Sequence, residues 1–298
     1  MPITKEAMIT VCGRPNVGKS SLTNALVGEK IAIVSSKPQT TRNRIFGVVN
    51  SGDTQLVLMD TPGLHKAQNR LGDYMVQVVE ESLSDVDAVM MLVEPIAHVG
   101  KPEQILLERL RKRKERAVLV INKIDTVKKE TLLAVMAAYQ NEYAFDAVIP
   151  VSARTGEGLD DLLHTLKGYA QERPQLFPDD MTTDQSDSQV CAEIVREKIL
   201  YCLQREVPHG VAIEVTKFSQ RENDIIDLDV TIYCEKASHK GILIGKGGEM
   251  LKKISTMART DIEHFMGAKV YLQTWVKVKE NWRDQLSAIR GFGYRSEN

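Results

Sequence analysis

An α/β domain with a mostly parallel sheet and helices on both faces, followed by a smaller α+β domain, is the fold the sequence predicts. Three observations carry it. The apolar run Met8 to Cys12 leads directly into Gly13-Arg14-Pro15-Asn16-Val17-Gly18-Lys19-Ser20, and a helical pattern follows over Ser21 to Val27. Further apolar runs end in Asp60-Thr61-Pro62-Gly63, in Asn122-Lys123-Ile124-Asp125 and just before Ser152-Ala153, so polar motifs recur at successive strand ends. Past residue 190 the order becomes helix, two alternating strands, helix, glycine-rich loop, helix and strand.

The chain has 298 residues, 43% apolar and 27% charged, which suits two domains better than one. They are expected over 1–172 and 190–298. Residues 173–189 hold Pro174, Pro178, four aspartates and several Ser and Thr in place of a periodic apolar pattern, and are expected to form a linker. No apolar run approaches the roughly 18 residues of a spanning helix. The first seven residues carry no long apolar segment, so an exported protein is not expected. Cys12, Cys191, Cys202 and Cys234 lack paired metal spacing and suit free thiols in a reducing compartment.

In the first domain, a strand, glycine loop and helix would converge backbone N–H groups and a helix dipole on phosphate. Lys19 would reach the β- and γ-phosphates, and the Ser20 hydroxyl would bind magnesium. Ile45 to Val49 and Leu56 to Met59 flank Asn50-Ser51-Gly52-Asp53, a hairpin signal, and the second strand delivers Asp60. A carboxylate there can hold magnesium through water, and Gly63 offers a backbone N–H that can face a γ-phosphate. Val86 to Val93 is a buried-type strand. Residues 103 to 114 suit a helix whose basic end, Arg111-Lys112-Arg113-Lys114, is a solvated terminus favoured by the dipole.

Ala117 to Ile121 then leads to Asn122-Lys123-Ile124-Asp125. The Asp125 carboxylate can accept from guanine N1–H and its exocyclic amine, a donor pair adenine lacks, and this argues against an ATPase. Val148 to Val151 delivers Ser152-Ala153, where a backbone N–H near Ala153 is expected to meet guanine O6.

Taken together, these four motifs resemble the signature set of the translation-factor-related GTPases. Within that class, Lys37-Pro38-Gln39-Thr40-Thr41-Arg42 and Pro62-Gly63-Leu64-His65 resemble the Era family. The resemblance implies a P-loop GTPase using GTP and magnesium, with Lys19, Thr41 and Gly63 in catalysis and Ser20, Thr41 and Asp60 around the metal. Thr40 is the rival for the role of Thr41. Ras-like proteins place a water-orienting glutamine where this chain has Leu64, and an aliphatic side chain cannot orient water. Potassium-stimulated members of the class use a residue at the place of Asn16 to position a monovalent cation, which would add K+ to the cofactors. A loop hydrogen bond without an ion is the other reading of Asn16. His65 suits a solvated switch-loop histidine better than a general base.

In the second domain, Cys191 to Gln204 has helical spacing, Val211 to Phe218 and Ile226 to Cys234 alternate as strands, and Lys269 to Lys279 is the final strand. Gly245-Lys246-Gly247-Gly248 resembles the GXXG loop of a KH domain, and the element order is that of the type II KH fold. Such a loop lets a nucleic-acid backbone approach closely, Lys246 adds charge, and Ile242 and Ile244 are candidates for the apolar groove that receives bases. Residues 190–298 hold 17 basic against 15 acidic side chains, so any RNA surface must be local. Trp275 and Trp282 could stack on bases or belong to the core. Lys252, Lys253 and Lys277 have the same two readings, phosphate contact or solvated lysine. Asn281 to Tyr294 is expected to form a terminal helix.

Resemblance to the Era family runs from Met8 to Tyr294. It implies a cytoplasmic, monomeric protein that binds the 3′ end of 16S ribosomal RNA and the small (30S) ribosomal subunit and assists its maturation. It also allows peripheral association with the cytoplasmic face of the inner membrane, although no amphipathic anchor stands out. Two rivals differ in class. A constitutive RNA-binding module with a structural nucleotide would bind RNA equally in the GDP and GTP states. A nucleotide kinase or ATPase on the same phosphate loop would respond to ATP.

Overall fold

The computed structural model describes residues 2–63 and 67–294. The chain divides into two compact units, one of residues 1–66 and 75–184, the other of residues 67–74 and 185–298.

The first unit is built on β1 (Lys5–Cys12), α1 (Lys19–Val27), β2 (Ile45–Ser51), β3 (Thr54–Asp60), α2 (Arg70–Glu81, whose first turn groups with the second unit), β4 (Ala88–Val93), α3 (Lys101–Arg113), β5 (Ala117–Ile121), α4 (Lys129–Gln140), β6 (Ala147–Pro150), α5 (Leu159–Lys167) and β7 (Gln171–Glu172). The sheet order is β2-β3-β1-β4-β5-β6, with β2 antiparallel to β3 and β7 antiparallel to β1; the remaining pairings are parallel. Alternation along the strands feeds two cores. Ile9, Val11, Met90, Leu92, Val118 and Val120 pack with α1 and α5, while Val89, Met91, Val93, Leu119 and Ile121 pack with α3 and α4. Strands buried on both faces read as apolar runs: β4 and β5 are apolar throughout, and β3 is apolar from Leu56 to Met59 between the buried polar residues Gln55 and Asp60.

The register sets the site. Val11 lies opposite Asp60, Cys12 opposite Met91, Val93 opposite Ile121 and Ile121 opposite Pro150, so the ends of β1, β3, β4, β5 and β6 reach one edge of the sheet together. In open α/β sheets that carboxyl edge is where ligands bind. The helices α2, α4 and α5 are additions to the sequence expectation.

Within the expected linker, residues 173–184 run as an ordered strap on the first unit: Leu176 and Phe177 backbone N–H groups donate to Gln55 Oε1, Val48 N–H donates to the Thr182 carbonyl, and Phe46 N–H donates to Asp184. The open edge of β2 leaves backbone groups that must find partners, and the strap supplies them.

The second unit follows as α6 (Asp187–Cys202), β8 (Val211–Gln220), β9 (Ile226–Cys234), α7 (Ala237–Ile244), α8 (Glu249–Met266), β10 (Val270–Val278) and α9 (Leu286–Gly291). Ser186 caps α6 in a capping box with Gln189, an arrangement worth about 1 kcal/mol. The sheet order is β10-β9-β8, with β9 and β10 parallel and β8 antiparallel to β9. Ile194, Val195 and Ile199 of α6 and Ile254, Ala258 and Ile262 of α8 pack against Leu228, Val230 and Ile232. This is the helix, strand, strand, helix, helix, strand order of the type II KH fold. The terminal segment is not one helix. Asn281 has φ +50°, Trp282–Asp284 make a single 3₁₀ turn in which Trp282 is fully buried with its indole N–H donating to the Gly210 carbonyl at 2.9 Å, and a separate α-helix covers Leu286–Gly291.

Candidate functional site

Where β1 ends, residues 13–18 form a loop that closes on the first turn of α1. Lys19 is buried, and its Nζ lies 3.2 Å from the Gly13 carbonyl and 3.1 Å from that of Arg14. Burial pushes its ammonium below the usual lysine range, against the opposing pull of Asp60. Such a lysine is held at the loop as a cation for a polyanion.

Ser20, Thr41 and Asp60 come together from α1, the segment before β2 and the end of β3. Ser20 Oγ is 2.9 Å from Thr41 Oγ1 and donates to Asp60 Oδ2 at 2.7 Å. Thr40, the rival, donates instead to the Lys37 carbonyl. Asp60 is fully buried, and burial raises its carboxyl to about 6 despite Lys19. Its Oδ1 has no hydrogen-bond partner among the described residues. An orphaned buried carboxylate oxygen beside two hydroxyls is a hard, all-oxygen donor set, and magnesium fits it. Thr61 turns its hydroxyl to the Val11 carbonyl at 2.8 Å, fixing the strand end, and Gly63 is required by close approach, since a Cβ there would meet the Pro15 backbone at 2.9 Å. A cleft of about 390 Å³, open mouth included, lies here, lined by Asn16, Lys19, Ser20, Lys37 and Thr41 among others. Leu64 and His65 lie outside the described residues.

Asn122 ties the base loop to the phosphate loop: its Nδ2 donates to the Val17 carbonyl at 2.9 Å and its Oδ1 accepts from Ala153 N–H at 3.1 Å. The Ala153 N–H, expected near guanine O6, is thus held beside Asn122 at the mouth of the base loop. The Asp125 carboxylate is oriented from both sides. Oδ1 accepts from Ser152 Oγ at 2.7 Å, and Oδ2 pairs with the exposed Arg154 at 2.5 Å. Ile124 is buried beneath this turn and holds it to the core. Asn16 has φ +66° and its amide nitrogen donates to the Ser36 carbonyl at 2.7 Å. The oxygen of that amide is the atom a cation would take.

Three participants escaped the sequence reading: Glu94, Glu103 and Arg154. Glu94 follows β4 and accepts from Arg14 and Lys123, and Glu103 in the first turn of α3 pairs with Arg14 at 3.5 Å. The Arg14 guanidinium therefore points to carboxylates, and what Arg14 offers a nucleotide is its backbone. Isolated acids outside any motif gave no sequence signal. Only the adjacency of β1, β4 and β5 brings them in.

In the second unit, the loop after α7 carries Gly245, Lys246, Gly247 and Gly248. Gly245 has φ +74°, and a Cβ there would meet Met250 at 2.7 Å, so the first glycine is demanded by both conformation and space. Lys246 and Gly247 are exposed, and nothing lies within 4 Å of a Cβ added at Gly247 or Gly248. Ile242 is 49% exposed beside the loop, whereas Ile244 packs against the core, so the two face different surroundings. Trp275 is 44% exposed and Trp282 is core.

The description "50S ribosome-binding GTPase" belongs to the family model matching residues 8–123, and "KH domain" to the one matching residues 206–283. GTPase Era of Ruminiclostridium cellulolyticum is 46% identical over 98% of this chain and 98% of its own. GTPase Era of Alkaliphilus metalliredigens is 47% identical over 97% and 99%. The crystal structure of an Era in complex with MgGDPNP and nucleotides 1506–1542 of 16S ribosomal RNA superposes with a TM-score of 0.94 at 32% identity, covering 98% of this chain and 100% of that one. Aquifex aeolicus Era bound to GDP and AlF4⁻ gives the same TM-score, identity and coverage. No helix among the described residues is long and apolar enough to cross a membrane.

Proposed function

From membership of the Era family of GTPases, to which this chain belongs, we propose a switch that hydrolyses GTP, binds RNA at the 3′ end of 16S ribosomal RNA and assists maturation of the small ribosomal subunit. The observation that carries it is the near-complete match, over 98% of the chain, to a relative solved with both MgGDPNP and that RNA.

In this account Lys19 exchanges its two carbonyl partners for phosphate oxygens and stabilises the charge that develops on them. Ser20, Thr41 and Asp60 are the residues that would hold magnesium, whose chemistry there is to neutralise phosphate charge. Thr41 belongs to the segment between α1 and β2, so the state of the γ-phosphate is felt by that segment, and the Gly63 N–H reports it to the segment beyond β3. Backbone groups from Gly13 to Gly18 cradle the phosphates. Asp125, oriented by Ser152, accepts from the guanine edge, with Asn122 and Lys123 bracing the loop. Leu64 cannot orient water, so basal turnover is slow, and Asn16 is the residue that would hold a potassium ion, which would add positive charge at the phosphates. The GXXG loop, Ile242 and Ile244 receive single-stranded RNA. The protein works in the cytoplasm as a monomer, with any membrane contact peripheral.

The test is GTP turnover in potassium and in sodium, with and without an oligonucleotide copied from the 3′ end of 16S ribosomal RNA. Faster turnover in potassium and with the oligonucleotide is expected. Turnover indifferent to both would leave a GTPase without the proposed cation site or RNA coupling.

A further inference from the structure

Beyond the motif residues, we propose that Glu94 is a positioning residue that clasps the guanine-reading loop to the phosphate loop and thereby sets how long nucleotide stays bound and how sharply guanine is chosen. The inference rests on the guanine-nucleotide reading above.

The geometry is specific. In the sheet, β4 lies between β1, which feeds the phosphate loop, and β5, which feeds the base loop. Glu94 is the first residue past β4, at a strand end flanked by both loops. Its two oxygens are divided between them: Oε2 accepts from the Arg14 guanidinium, and Oε1 accepts from Lys123 Nζ at 2.5 Å. Lys123 Nζ also donates to the Asn16 carbonyl at 2.6 Å, so the base-loop lysine touches the phosphate loop directly as well as through Glu94. Arg14 is steadied from behind by Glu103, only 4% exposed, at 3.5 Å.

With its side chain 23% exposed, Glu94 is shielded enough for these charge-assisted bonds to outweigh those of an ordinary surface pair. Burial opposes the charged form, yet the hydrogen bonds from Lys123 and Arg14 hold its carboxyl below the usual glutamate range. The clasp is therefore charged at neutral pH. Lys123 has φ +65°, a conformation costly for a side chain-bearing residue, and its two Nζ contacts help to hold it there. Asp125 lies two residues on in the same short turn, so a freed Lys123 lets the reading carboxylate drift from the base edge.

Dissociation of fluorescent GDP, and the affinity ratio of GDP to IDP, test this in the wild type, Glu94→Gln and Arg14→Gln. IDP lacks the exocyclic amine that Asp125 accepts from, so the ratio reports the placement of Asp125 and would not move if Glu94 served stability alone. Glu94→Gln keeps the shape but loses one charge-assisted partner, and about tenfold faster GDP release with a severalfold smaller GDP/IDP ratio is expected, with the melting temperature held. Arg14→Gln, which leaves Lys123 clasped, should speed release less and keep the ratio; it also serves if Glu94→Gln does not fold, since a release rate equal to wild type would then count against the clasp. An unchanged release rate and ratio in Glu94→Gln, or a loss for GDP and IDP alike that follows a lowered melting temperature, would overturn the proposal. A wild type that fails to prefer GDP over ADP would overturn the guanine reading itself, a distinct result.

Discussion

Among the nucleotide-site residues, side chains from different loops fix one another: Asn122 spans Val17 and Ala153, Ser152 holds Asp125, and Ser20 bridges Thr41 and Asp60. The GXXG loop is the opposite, with an exposed Lys246 and two glycines around which an added Cβ would find open space. The difference follows from the ligands. A small nucleotide is told apart by a few polar groups, so these must be placed before it arrives. A single-stranded RNA offers a repeating backbone, and bare main chain with one cation suits close approach along it.

That contrast can be broken at its strongest point first. Lys19→Ala removes the cation at the phosphates, and GTP turnover measured by phosphate release should fall by about 10²- to 10³-fold or more. Next comes the base edge. Asp125→Asn exchanges an acceptor for a donor, so GDP affinity by calorimetry should drop about 10- to 100-fold while xanthosine diphosphate, with a carbonyl in place of the amine, regains part of it. In the RNA loop the expected effect is smaller: Lys246→Ala should weaken oligonucleotide binding a fewfold, lower the slope of log affinity against log salt by about one, and leave GDP binding untouched.

The smallest effect concerns stability of the second unit. Hydrogen bonds from Arg221 and Lys217 hold the Asp227 carboxyl down at about 2. A carboxyl whose pKa is lower folded than unfolded stabilises fully above its unfolded value, about 4, and loses that contribution as pH falls through the folded value. Asp227→Asn should therefore lower the melting temperature of the second unit at pH 7 and converge on wild type near pH 2.

The same contrast separates what the sequence made legible. Gly13 to Ser20, Asp60, Asn122 to Asp125 and the GXXG loop were readable because their chemistry needs fixed residue types at local spacing, and β9 and β5 were readable because they alternate or run apolar with clear turn signals. Glu94, Glu103 and Arg154 were not, since each acts through a neighbour distant in sequence that only strand order brings near. The strap of residues 173–184 has a linker's composition, and its order comes from the β2 edge it satisfies. Trp282 shows the limit of residue type as a guide: an aromatic in the RNA-binding domain is here a core side chain whose indole N–H donates to the Gly210 carbonyl.

The central claim is that one chain couples a guanine-nucleotide switch to an RNA-binding domain. Fluorescence polarisation of an oligonucleotide from the 3′ end of 16S ribosomal RNA, titrated with protein held in GDP or in magnesium and a non-hydrolysable GTP analogue, tests it most directly. Tighter binding in the GTP-like state is predicted. Equal affinity in the two states would contradict the switch and leave a GTPase and an RNA binder that share a chain without sharing a function.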